Sequence, residues 1–128
     1  MFEAKIRECS KELSAKERVL MKDISNCDNI NELAEEAQAA DASVIFKPAM
    51  WAIVDVHNDE SKDSKDYTCY VIVTDDDRRL YTSSDAFYNA FISIVTEMEG
   101  SDEEWSIKVV LRPSSNYKGK NVLSCTIV

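Results

Sequence analysis

A chain of 128 residues, 45% hydrophobic and 30% charged, is long enough to bury one core without disulfide staples and too apolar for a disordered acidic tail. Its formal charge of −9 is unevenly spread: Trp105 to Val128 hold four cations and no Asp or Glu, whereas the residues before them hold 11 of the 15 Lys and Arg and all 24 Asp and Glu. Net charge therefore excludes no phosphate-binding role, since a local basic surface can hold phosphates while a remote acidic one discourages indiscriminate contact. No apolar run approaches the roughly 20 residues that span a bilayer, and Met-Phe-Glu-Ala-Lys-Ile-Arg is not a secretory signal, which predicts a cytoplasmic protein with no membrane partner. Cys9, Cys27, Cys69 and Cys125 are too far apart for zinc or dithiol pairs, and Cys69 and Cys125, inside apolar runs, are expected as reduced core residues.

In chain order, Phe2, Ile6, Cys9 and Leu13 make a helical stripe, and Ser14 with Glu17 fits a capping box that would carry Val19, Leu20 and Met21 inward. Ser25–Asn29 is a break, and Ile30–Ala40 reads as a third short helix or an acidic linker. The character then changes to strand. Val44–Val56 predicts a long strand bent near Pro48, because proline cannot donate to a central ladder. Tyr67–Thr74 is a strong strand, Asp75–Asp77 a turn, and Arg78–Ser83 a shorter returning strand. Ser83 or Ser84 caps a helix with Phe87, Phe91, Ile94, Val95 and Met98 at helical spacing, and Gly100 stops it. Trp105–Leu111 and Asn121–Val128 alternate as two further strands.

These elements predict an α+β, mainly β protein with a helical N-terminal extension over residues 1–42. Residues 43–128 follow with the order β–β–β–α–β–β, which is that of an OB-fold, a five-stranded, partly open barrel. In that arrangement the loop from Pro113 to Lys120 is one of the two that grip a ligand.

The segment Arg112-Pro-Ser-Ser-Asn-Tyr-Lys-Gly-Lys120 combines Tyr117 with Arg112, Lys118 and Lys120, and Lys108 lies on the strand before it. A ring that stacks on a base beside cations that meet the backbone is the chemistry of single-strand binding, although the same Pro, Ser, Asn and Gly make an ordinary hairpin loop. Alternation puts Arg79, rather than Arg78, on the face of Tyr81; with Tyr67 they form a stacking platform, or else Tyr81 is a core ring and both arginines are hairpin-edge charges offsetting Asp75–Asp77. Trp51 and Trp105 read as core. His57 has no matching ligand or nucleophile spacing, and the acidic runs lack the glycine and terminal glutamate of a calcium loop. With two glycines in the chain and no phosphate-cradling motif, the expectation is a binding protein, not an enzyme, without cofactor or metal.

Five stretches stand out together: Ser14-Ala-Lys-Glu-Arg-Val-Leu-Met-Lys-Asp23, Trp51–Asn58, Lys65-Asp-Tyr67, Tyr81-Thr-Ser-Ser-Asp-Ala-Phe87, and Pro113–Lys120 running into Leu123-Ser-Cys125. They resemble a family of small acidic phage- and prophage-encoded proteins of Gram-positive bacteria associated with single-stranded DNA binding. The resemblance implies sequence-independent binding of single strands on an OB-like face during phage-type DNA replication or recombination, in the cytoplasm of the host cell. It maps directly onto Tyr117, Lys118 and Lys120, and it brings in replication or recombination proteins as partners. The alternative is an acidic protein-binding module, an inhibitor or DNA mimic docking on a basic host or phage protein. A homo-oligomer assembled through the N-terminal helices is a third reading.

Overall fold

The computed structural model describes residues 2–59, 66–113 and 121–128, and within them the chain is α+β with strands predominating. Its contacts cluster into two compact units, Met1–Asn29 with Pro48–Ser83, and Ile30–Lys47 with Ser84–Val128, so each unit draws on both sides of residue 42.

The first unit is a five-stranded sheet. Strand β1 (Phe2–Cys9), the two-residue β2 (Asp28–Asn29), β4 (Pro48–Asn58), β5 (Asp66–Thr74) and β6 (Arg79–Thr82) lie in the order β1-β4-β5-β6-β2, antiparallel except where β2 meets β6. Period-two alternation turns Met50, Ala52, Val54 and Val56 of β4, and Cys69, Val71 and Val73 of β5, to one face. There they pack on Leu13, Met21 of helix α1 (Ala15–Lys22) and Ile24 of the 3-10 turn Ile24–Asn26. The capping box forms as its sequence predicts: Glu17 N–H donates to Ser14 Oγ at 3.1 Å, and Ser14 N–H to Glu17 Oε1 at 3.0 Å. Of the three residues expected inward, only Met21 is buried and Val19 is 67% exposed, because consecutive helical residues sit about 100° apart and cannot share a face.

The expected N-terminal helix is a strand. Phe2, Ile6, Cys9 and Leu13 have helical spacing, but Ala4 and Ile6 also alternate with Glu3, Lys5 and Arg7, and pairing with the open edge of β4 decides between the two periods. A register shift between Ile6 and Glu8 bends the strand.

The second unit contains α2 (Ile30–Ala39), β3 (Ile45–Phe46), α3 (Asp85–Met98), β7 (Ile107–Pro113) and β8 (Asn121–Ile127), with an antiparallel sheet ordered β3-β7-β8. Ser84 caps α3 by accepting from Phe87 N–H at 3.1 Å; Phe87, Phe91 and Val95 form its buried stripe, and Gly100 follows its end at φ +79°. The single long strand expected over Val44–Val56 is instead two, β3 and β4, which are separated at Lys47 and belong to different sheets, so the chain breaks beside Pro48 where a bend is expected. The order β4-β5-β6-α3-β7-β8 matches the predicted β–β–β–α–β–β, but these strands divide between two sheets and no closed barrel is found among the described residues. Element order does not set pairing: β6 offers one edge to β5 and the other to β2, so no edge of β6 is left for the last strand.

Trp51 and Trp105 are half-buried, and Cys69 and Cys125 are buried free thiols. No described helix is long and apolar enough to cross a membrane.

Candidate nucleic-acid interface

The sheet β3-β7-β8 has two unlike faces. Ile107, Val109, Leu123 and Cys125 are buried on one of them, with α3 packed on β8. Cys125 Sγ lies 3.9 Å from the Phe87 carbonyl oxygen, and burial pushes its thiol up to about 11. The opposite face carries Lys108, Val110 and Arg112 of β7 and Val122, Ser124 and Thr126 of β8, with Lys108 opposite Thr126, Val110 opposite Ser124, and Arg112 opposite Val122. Ile45 of β3 flanks Lys108 from the other side. Arg112 is exposed and Lys108 half-exposed; Ile45 and Val122 are 47% and 38% exposed. The two cations stand four residues apart on one strand, roughly 13 Å, with apolar and hydroxyl side chains between and beside them. A groove of about 260 Å³ runs along β7, walled by Ala37, Gln38, Asp41, Ser43 and Val44 together with Lys108 and Val110.

Of the residues singled out from sequence, Lys108 and Arg112 are therefore brought onto one open face. Tyr117, Lys118 and Lys120 lie outside the described residues. Tyr67, Arg79 and Tyr81 share a face of the first unit's sheet, as alternation requires, and it is the core face. Tyr67 and Tyr81 pack against the core cluster, and Tyr81 Oη accepts from Asn29 Nδ2 at 3.3 Å. Arg79 Nη1 donates to the Leu20 carbonyl at 3.4 Å and lies 3.7 Å from Asp23, tying β6 to the end of α1. Burial also pushes the Tyr67 phenol up. Tyr81 is thus packed on the core; of the two arginines expected to offset Asp75–Asp77, Arg78 does so, with Nε 3.2 Å from Asp76, whereas Arg79 is turned to the end of α1.

Sequence spacing misses a polar cluster on the other face of that sheet. Arg7 Nε donates to Asp55 Oδ2 at 3.0 Å, its Nη2 meets the other carboxylate oxygen, and Thr68 Oγ1 donates to Asp55 at 3.2 Å. His57 Nδ1 is 2.6 Å from Asp66 Oδ1 and its Nε2 is 2.6 Å from Asp59 Oδ1. A cavity of about 460 Å³ lies over this face, lined by Glu3, Lys5, Arg7, Asp55, His57 and Thr68 among others. Only the i, i+2 relation of His57 and Asp59 is legible in the chain; Asp66 and Arg7 arrive through strand register. His57 is held protonated above its ordinary range, mainly by its hydrogen bond to Asp66 and next by that to Asp59.

Comparison with protein-family models, curated proteins and solved structures finds no match. Among the described residues no group of three or more His, Cys, Asp and Glu is placed to hold a metal ion.

Proposed function

We propose that the protein binds single-stranded DNA without sequence preference, along the open face of β7 and β8, in phage-type DNA replication or recombination. The observation that carries this reading is the placement of Lys108 and Arg112 on one face of a strand pair that contains no carboxylate. Cations at that spacing suit successive phosphates, and the apolar and hydroxyl side chains between them suit bases and sugars without reading base edges. The sequence joining β7 to β8 adds Tyr117, Lys118 and Lys120, a ring and two ammonium groups of the kind that stack on bases and meet phosphates. The β–β–β–α–β–β order, which the chain shares with OB-type domains, supports the same reading.

The test is a fluorescence-anisotropy titration of a labelled oligothymidine, with a duplex of equal length alongside, at low and at moderate salt. The proposal requires salt-sensitive binding of the single strand and much weaker binding of the duplex. Absence of single-strand binding at low salt refutes it, and shifts attention to the carboxylate-rich remainder of the chain and to basic protein partners.

A further inference from the structure

Strand β8 is the outer strand of its sheet. Ser106 and Val128 exchange both backbone hydrogen bonds, at 3.1 and 3.0 Å, and the β7–β8 register then runs without a shift to Pro113 opposite Asn121. Hydrogen-bonded pairs alternate in an antiparallel ladder, so Thr126, Ser124 and Val122 also turn their N–H and C=O groups to β7. Asn121, Leu123, Cys125 and Ile127 turn theirs to the opposite edge, and no further strand pairs there among the described residues.

Among the described residues nothing along this edge discourages another strand. Natural sheet edges are usually protected by charge, proline or a bulge, and Asn121–Ile127 has none of the three. The outer edge of β1 shows the contrast, with Glu3, Lys5, Arg7 and Glu8 along it and a register shift in its middle. Val122, Ile127 and Val128, three of the five most exposed large apolar side chains among the described residues, also gather on or beside β8.

We propose that β8 pairs antiparallel with β8 of a second copy, about a two-fold axis at Ser124. In that register Asn121 meets the partner's Ile127 and Leu123 meets the partner's Cys125, so every outward N–H and C=O of both strands is satisfied. Moving the axis to Val122 or Thr126 leaves outward groups unpaired at the strand ends. Ser124 meets its counterpart as the non-hydrogen-bonded pair on the axis, and Val122 lies across from the partner's Thr126, a β-branched pair on the same face. The register itself fits a second copy: about Ser124 the outward residues of this one sequence pair with one another and leave none over. A protein of net charge −9 repels another copy over most of its surface, whereas Asn121–Ile127 carries no charged side chain and can meet its counterpart without opposing like charges. Joined in this way, the two sheets become one, and the Lys108–Arg112 face of one copy continues into that of the other. That last consequence rests on the nucleic-acid reading; the pairing itself does not.

The test is the mass of the full chain in solution, by light scattering over a range of concentrations, and the cross-linking of a cysteine placed on the axis. The wild-type chain is expected at twice its 14.5 kDa. Ser124→Lys sets two ammonium groups against each other across the axis and is expected to be monomeric with an unchanged circular-dichroism spectrum. In a Cys9→Ser background, which removes the exposed native thiol, Ser124→Cys should oxidise to a covalent dimer. Thr126→Cys, which faces Val122 of the partner subunit instead of itself, should cross-link several-fold less. A wild-type chain that stays monomeric as its concentration rises, or a Ser124→Cys variant that cross-links no better than Thr126→Cys, overturns the proposal. The second result does so even if Ser124→Lys fails to fold. Neither readout involves DNA, so failure here is distinct from failure of the binding reading.

Discussion

His57 and Asp66 face each other across the β4–β5 pair with Nδ1 2.6 Å from Oδ1, while Asp59 holds the other ring nitrogen at the same distance. A neutral imidazole has one N–H and cannot donate to two carboxylates; the imidazolium can.

The His57 side chain should therefore titrate above the ordinary histidine value near 6.5. The sign follows from linkage: a folded-state value above the unfolded one contributes stability that is fully present below about pH 6.5 and lost as pH rises through the folded value. As the chain has one histidine, the ring Hε1 resonance followed by NMR against pH reports it directly. Asp66→Asn should lower the midpoint more than Asp59→Asn, following the order of their contributions. A wild-type midpoint at or below 6.5 would contradict the geometry.

Phe91 is fully buried on α3, stacked on Phe87 with ring centroids 6.1 Å apart. Phe91→Ala is expected to cost about 3–5 kcal/mol in urea denaturation, the usual cost of an aromatic cavity. Val19→Ser, on the exposed side of α1, should stay within about 0.5 kcal/mol of wild type. Comparable losses at both positions would mean that α3 does not seat on its sheet as described.

Arg79 separates the packed reading of the Tyr67–Arg79–Tyr81 face from the stacking one. Its contacts to Leu20 and Asp23 are partly exposed, so Arg79→Gln should cost only about 1 kcal/mol of stability. It should leave single-strand affinity within about twofold of wild type, a difference of less than 0.5 kcal/mol. A tenfold affinity loss with unchanged stability would return this residue to the binding surface.

The Ser14–Glu17 capping box predicts that Ser14→Ala lowers stability by about 1 kcal/mol, and that Ser14→Asp restores most of it, because either oxygen can accept from the Glu17 N–H. Thermal unfolding of the three chains checks the order.

Local signals made much of this fold legible. Ser14 and Ser84 as caps, Gly100 as a stop and the Asp75–Asp77 turn each depend on a few neighbouring residues, and each is found where its chemistry requires, whereas the bend expected at Pro48 is a full break between two sheets. What depended on distant partners was not legible. Phe2–Cys9 satisfies two periods, and the edge of β4 chooses between them; the split into two sheets follows from β2 taking the far edge of β6, which two residues, Asp28 and Asn29, do not announce. For the site, alternation placed Arg79 with Tyr81, because period two is a property of the strand itself, whereas Lys108 and Arg112 share a face because β7 runs past the expected end at Leu111 to Pro113. Which of those faces is covered depended on where α1 and α3 pack. The Arg7–Asp55 and His57–Asp66 contacts arise only from register, which spacing does not carry.

The salt dependence of oligothymidine binding tests the binding face most directly, comparing wild type with the Lys108→Gln/Arg112→Gln double variant. For single strands each lost phosphate contact removes about 0.7 from the slope of log affinity against log salt. The double variant should therefore bind more weakly at low salt with a slope shallower by about 1.4. An unchanged affinity and slope would contradict the placement of the DNA backbone on the open face of β7 and β8.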